Sequence, residues 1–177
     1  DVDAYEIFKF VTGLGRTDIL MNPCAEISEK KLNEFSSLIE KRSTGYPLQY
    51  ILGEWDFYGF RFGIGEGVLI PRNETEQIAD EACRFLKGKK DKVVFDLCSG
   101  SGCIGLSVAA NNPDCKVYLA DISVYALECS DHNRKIIAPD NAKIVPFNIF
   151  DGFEKSSLPR PDVILCNPPY VTREEFE

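Results

Sequence analysis

Residues 92–105 read KVVFDLCSGSGCIG. The stretch opens as a short run of β-branched and aromatic residues, Val93 to Leu97, which predicts a buried strand. It then passes through three glycines, Gly100, Gly102 and Gly105, into an apolar segment with helical character. Strand, glycine turn and helix in that order are the first half of a β-α-β unit. Working outward, apolar runs recur at 116–121 (KVYLAD), 143–147 (KIVPF) and 162–166 (DVILC). Helices of about ten to sixteen residues are expected between the first three, by the length rule for periodic segments. The series β-α-β-α-β-β predicts a parallel, doubly wound sheet, with ligands bound at the carboxyl ends of its strands.

The chain before residue 92 divides in two. Residues 1–50 are expected to be helical, as one small domain. Ala4 to Val11 forms one helix, stopped by Gly13 and Gly15. Leu32, Phe35, Leu38 and Ile39 recur at helical spacing behind Ser28, which stands as an N-cap. Residues 51–70 contain WDFYGFRFGIGEG, where Phe60, Phe62 and Ile64 alternate between glycines. That pattern predicts a β-hairpin linking the helical domain to a second domain over 71–177. Its aromatics, Trp55, Phe57, Tyr58, Phe60 and Phe62, are expected to be hairpin core. A helix follows, with Asn73 and Glu76 placed as a capping box and Gly88 at its end.

Composition excludes several classes. The 177 residues are 44% apolar and 27% charged, enough apolar material for a core. The net charge of −8 argues against sequence-independent nucleic-acid binding, which needs a lysine and arginine footprint. Seven cysteines with no Cys-x-x-Cys, and a single histidine, suggest reduced, mostly buried thiols in a cytosolic protein and no metal site. Neither a signal peptide nor a membrane span is visible in these residues. The β-α series reads as unfinished. Its last strand is apolar on both faces yet sits at an edge, so the chain is expected to be a fragment truncated within its second domain.

The glycine loop alone is open to more than one ligand. Gly100, Gly102 and Gly105 spell the G-x-G-x-x-G of dinucleotide sites, and Asp121 ends the next strand about twenty residues on. Asp96, just before the glycines, tilts the balance. A carboxylate there is unfavourable beside a pyrophosphate but suits a cation. S-adenosylmethionine carries a sulfonium, an ammonium and a ribose, and no phosphate; Asp121 is then placed to accept from the ribose hydroxyls.

The last apolar run ends in Asn167, Pro168, Pro169 and Tyr170. A residue before proline is pushed into extended geometry, so Asn167 and Pro168 are held straight. They offer two fixed acceptors, the Asn167 side-chain oxygen and the Pro168 carbonyl. A planar NH₂ group is a poor nucleophile, and it needs such acceptors to aim it at a methyl donor. Tyr170 is placed to stack on a flat substrate group.

With these motifs the chain resembles class I methyltransferases that act on planar NH₂ groups. GYPLQYILGEWDFYGFRF (45–62) and GVLIPRNETE (67–76) look like the HemK/PrmC family. The resemblance implies a Rossmann-like sheet behind a helical domain and hairpin linker. It implies methyl transfer from S-adenosylmethionine, leaving S-adenosylhomocysteine, to the glutamine amide in the Gly-Gly-Gln motif of peptide chain release factors. The cofactor residues it implies are Asp96, Cys98, Ser99, Gly100, Ser101, Gly102, Asp121 with Ile122, Asn148, Ile149 and Asn167. The catalytic set is Asn167, Pro168, Pro169 and Tyr170. Gly45, Pro47, Gln49 and Tyr50, with Arg72 and Glu74, correspond to motifs that meet the release factor. Cys98 stands where members often have glycine, and Asn148 where many have aspartate. The family's further strands after Asn-Pro-Pro-Tyr are absent. The rival readings are an adenine-amino methyltransferase on DNA or RNA, a non-catalytic docking fragment, and, last, an NAD dehydrogenase.

Overall fold

The computed structural model describes residues 2–138, 140–153 and 157–169, which fall into two compact units divided between Glu54 and Trp55. The first unit is helical: α1 (Val2–Thr12), α2 (Arg16–Met21), α3 (Glu29–Ser43) and α4 (Leu48–Leu52). Its core joins Ile7 and Val11 of α1 to Leu48 and Ile51 of α4, with Phe35, Leu38 and Ile39 of α3 packed against them. The helical spacing noted in α3 therefore does face a core. Gly13 ends α1 with φ +77°, its N–H bonded to the Lys9 carbonyl at 2.8 Å. Two local expectations are corrected. Ser28 holds the N-cap position of α3, but its side chain makes no capping bond. Leu48–Leu52, divided in the sequence between the helical domain and the hairpin linker, is a helical turn and a half closed by Gly53 at φ +71°.

The second unit opens on a two-stranded hairpin, β1 (Glu54–Phe57) and β2 (Phe60–Gly63), shorter than the 51–70 expected. Tyr58 and Gly59 form its turn, both with positive φ, 48° and 79°, as a two-residue hairpin needs. Phe57 and Phe62 are buried and meet edge to face at 6.1 Å, as expected of hairpin core, whereas Trp55, Tyr58 and Phe60 are only half-buried. The capping box at Asn73 is not formed. Asn73–Thr75 is a 3-10 turn, and α5 (Glu76–Leu86) starts after it. Glu76 turns to the hairpin instead, where Oε1 accepts the Tyr58 N–H at 2.7 Å.

The sheet contains β3 (Val93–Leu97), β4 (Lys116–Asp121), β5 (Ala142–Pro146) and β6 (Val163–Cys166), all parallel, in the order β5-β4-β3-β6. Helices α6 (Cys103–Asn111) and α7 (Val124–Ile137) connect the first three strands. They lie side by side on one face, with α5 against α6. Gly105 makes the packing of α6 possible: a Cβ there would collide with Leu119 Cδ2 and lie 2.9 Å from Asp96 Cβ. The doubly wound expectation is met on one face only among the described residues. The other face is covered by rings. Phe95 stacks on Tyr118 at 4.7 Å, and Phe153 stands edge-on to Phe95 at 5.0 Å. The physical reason is the β5–β6 connection, whose described part holds only a 3-10 turn (Ile149–Asp151). The cysteines are all free, but only Cys103 and Cys115 are buried; Cys24 is exposed and the other four are half-buried, fewer buried than expected. No helix among the described residues is long and apolar enough to cross a membrane.

Candidate functional site

The chain builds its sheet outward from β3 to β4 and β5, then returns to lay β6 on the opposite side of β3. The carboxyl ends of β3 and β6 therefore flank the point where the winding reverses, the place where open parallel sheets leave a crevice. β3 delivers Cys98 to Gly102 there, and β6 delivers Asn167 to Pro169. Leu97 is the register partner of Cys166, so the glycine loop and the Asn-Pro-Pro segment begin side by side. The Cys98 and Cys166 thiols are close enough to influence each other's protonation. Burial, then the neighbouring thiol, pushes Cys98 up to about 11, so it stays protonated at neutral pH.

The loop bends sharply, with positive φ at Cys98 (57°), Gly100 (56°) and Gly102 (77°). Two backbone bonds hold it, Ser99 N–H to the Ala120 carbonyl at 3.2 Å and Gly102 N–H to the Ser99 carbonyl at 2.7 Å. Asp121, at the end of β4, braces it from the side. One carboxylate oxygen accepts the Gly100 N–H and the other the Ser123 N–H, each at 2.9 Å. The acid thus aligns two loop ends while remaining half-exposed.

Asp96 is placed differently from the sequence expectation. It is fully buried beneath the loop, where Oδ2 accepts the Gly105 N–H at 2.8 Å near the start of α6. Burial is the main cause of its pKa rising to about 7; the Gly105 bond opposes the rise and Asp121 adds to it. A carboxyl so placed supports the loop from behind. The charge argument against a pyrophosphate therefore loses most of its force. Asp96 Oδ1 and the buried Ser99 Oγ have no hydrogen-bond partner among the described residues. Buried polar atoms are nearly always paired, so these two mark where a polar ligand or water completes the loop.

Apolar surface adjoins it. Ile122 after β4 is 71% exposed, and Ile149 after β5 is 40% exposed. Asn148 caps the 3-10 turn, its Oδ1 accepting the Phe150 N–H at 3.1 Å. Asn167 is half-buried, whereas Pro168 and Pro169 are exposed. Tyr170 lies outside the described residues. Of the remaining expected residues, Pro47, Gln49 and Tyr50 belong to the first unit, at and in α4. Arg72 and Glu74 lie exposed in the second, at the 3-10 turn before α5. The orphaned hydroxyl, the braced loop, the acid after β4 and the bare isoleucines fit a nucleoside-bearing cofactor such as S-adenosylmethionine.

Sequence reasoning missed Asn133. On α7 it looks like one more polar residue beside Asp131 and His132, yet it is 1% exposed and bonded to the loop through the Ser101 carbonyl at 2.9 Å. No local signal distinguishes it.

Two family models match: the PrmC N-terminal domain over residues 1–53 and the methyltransferase small domain over 77–177. The chain is 35% identical over 169 residues to the release factor glutamine methyltransferase of Mycoplasma mycoides subsp. mycoides, covering 96% of this chain and 60% of that one. It is 32% identical over 177 residues to that of Fusobacterium nucleatum subsp. nucleatum, covering 99% of this chain and 49% of that one. The chain thus spans about half to three-fifths of these relatives' length. Among solved structures it is similar to human methyltransferase 10 domain containing protein, with TM-score 0.51 and 18% identity over 67% of this chain and 58% of that one. That likeness shows the fold alone, an open Rossmann-like parallel sheet. With more than half of its residues matched by one model, and a PrmC N-terminal segment ahead of them, the chain belongs to the methyltransferase small domain family.

Proposed function

We propose that this chain belongs to an enzyme that methylates the side-chain amide nitrogen of the glutamine in the Gly-Gly-Gln motif of peptide chain release factors. The observation that carries it is the juxtaposition of the glycine loop and the Asn-Pro-Pro segment at the reversal of the sheet. The names of the relatives supply the substrate class.

Cys98 to Gly102, Asp121, Ile122, Asn148 and Ile149 hold S-adenosylmethionine, with Asp96 behind the loop. When bound, the cofactor supplies a methyl group on a positively charged sulfur. The chain's own task is to present a weak nucleophile. Asn167 and Pro168 each accept one N–H of the substrate amide, through the side-chain oxygen and the backbone carbonyl. Positive charge developing on the nitrogen is stabilised by those two oxygens, so no base removes a proton first. The prolines add stiffness and no N–H donor of their own. Tyr170 packs on the amide plane. Pro47, Gln49, Tyr50, Arg72 and Glu74 serve the release factor. A substrate of this kind places the enzyme in the cytoplasm.

The test pairs two measurements on the full-length protein. Calorimetry should show Asn167→Ala binding S-adenosylmethionine with little change. Transfer of a labelled methyl group to a release factor should fall by about 10²-fold or more, the scale of losing a preorganised polar group. Near-wild-type transfer by Asn167→Ala sinks the mechanism. Labelling of DNA or RNA in place of the release factor favours an adenine-amino methyltransferase. Release-factor binding without cofactor binding favours a docking fragment.

A further inference from the structure

On α7, Glu128, His132 and Lys135 are exposed, but Asn133 is buried, bonded to both the hairpin and the glycine loop. Its Oδ1 accepts the Gly63 N–H at 2.7 Å, and its Nδ2 donates to the Gly63 carbonyl at 3.0 Å. The side-chain amide thus pairs with both peptide groups of one residue, as a neighbouring strand would. Nδ2 also donates to the Ser101 carbonyl at 2.9 Å. Both donor directions and the oxygen are therefore committed, as a buried amide requires. The Cys129 thiol adds a bond to the same Gly63 carbonyl at 3.2 Å.

The two partners are a closely packed strand end and the glycine loop. Gly63 is the last residue of β2, and a Cβ there would lie 3.1 Å from both Asn133 Oδ1 and His132 Cδ2. Ser101 stands between Gly100 and Gly102, both at positive φ, so the direction of its carbonyl reports the shape of the whole turn. One side chain, 70 residues from Gly63 and 32 from Ser101 in sequence, links them.

We propose that Asn133 is a positioning residue: it fixes the glycine loop to the end of the hairpin, so that cofactor affinity and the order of the hairpin rise and fall together. The inference rests on the functional reading above, in which the loop binds S-adenosylmethionine. Loop ordering done in advance is not charged to the ligand, and a ligand that needs the ordered loop must in turn tighten whatever the loop is bonded to.

The control is Asn141→Ala. Asn141 has a similar bonding role, donating to the carbonyls of Ala109 at 2.9 Å, Asn112 at 3.3 Å and Cys115 at 3.2 Å, at the opposite edge of the sheet. Both Asn133→Ala and Asn141→Ala should lower thermal stability. Only Asn133→Ala should weaken S-adenosylmethionine binding, by roughly tenfold, the scale of one lost buried hydrogen bond. In the transfer assay its KM for the cofactor should rise while kcat at saturation stays within about twofold, the pattern of lost uniform binding. Hydrogen exchange on the wild type needs no variant: cofactor should slow exchange at Gly63 and Ile64. Unchanged affinity in folded Asn133→Ala, an equal loss of affinity in Asn141→Ala, or no slowing at Gly63 overturns the role of Asn133. A wild-type chain that binds no S-adenosylmethionine overturns both this and the functional reading.

Discussion

Asp96 pins α6 through the Gly105 N–H, but it does so with no exposed surface and one oxygen unpaired. Burial raises its pKa from 3.8 to about 7. The folded state therefore binds a proton that the unfolded state has released between those values. Asp96's contribution to stability is full below about pH 4 and is lost as pH rises through about 7. Asn at this position keeps an acceptor for Gly105 and carries no charge at any pH. Asp96→Asn should therefore gain stability relative to wild type as pH rises from 4 to 8, measured as the urea midpoint across that range. A difference between the two proteins that stays flat over the whole range means that Asp96 is not held protonated. The sequence showed that an acid precedes the glycines, but not which way it turns. That depended on a missing Cβ at Gly105, nine residues on, which lets α6 come close enough to take the carboxylate. Asp121 was more legible because it sits at a strand end, where the chain leaves the sheet and the side chain must meet the loops.

At the scale of elements, apolar runs rich in β-branched residues located all four sheet strands, because each strand buries at least one face against the core. Short elements escaped. Leu48–Leu52 is five residues long, too short for a helical period to show, and it exists because Leu48 and Ile51 complete the first unit's core. The capping box failed for a related reason: a local pattern lost to a partner distant in sequence. Glu76 serves the hairpin turn, whose Tyr58 N–H has no strand partner. Two residues at positive φ make that turn costly, so its anchor matters. Glu76→Ala should destabilise the protein by about 1.5–3 kcal/mol, the range for a hydrogen bond to a charged group. Chemical denaturation would read this as a lower midpoint at constant slope. Proteolysis within 58–60 should also quicken. A stability change below about 0.5 kcal/mol, the ordinary scatter of surface substitutions, would show that the bond does not hold the turn.

For the whole molecule, the decisive relation is topological. The glycine loop (Cys98 to Gly102) and Asn167 lie 65 to 69 residues apart in the chain and come side by side only because β6 returns beside β3. Each motif alone admits several ligands; the shared sheet edge is what the proposed pairing of a methyl donor with a planar nitrogen rests on. Charge then bears on whose nitrogen it is. An enzyme that takes its target from a nucleic-acid duplex neutralises phosphates with lysine and arginine, and its affinity falls steeply as salt rises. This chain has 28 acidic against 20 basic residues. At about 50 mM salt, where phosphate contacts are strongest, a large excess of duplex DNA or of RNA should leave methyl transfer to a release factor within roughly twofold of its rate alone. Competition that disappears as salt rises toward about 200 mM would mean that the chain carries a phosphate-binding face its net charge conceals. The same titration with Asn167→Ala separates the sources of any signal. Polyanion binding would survive that substitution, because Asn167 bears no charge, whereas methyl transfer would not. If transfer to the release factor is insensitive to polyanion and also lost in Asn167→Ala, then the acceptor pair acts on a protein amide. If nucleic acid competes and is itself labelled, then the same pair is orienting a base.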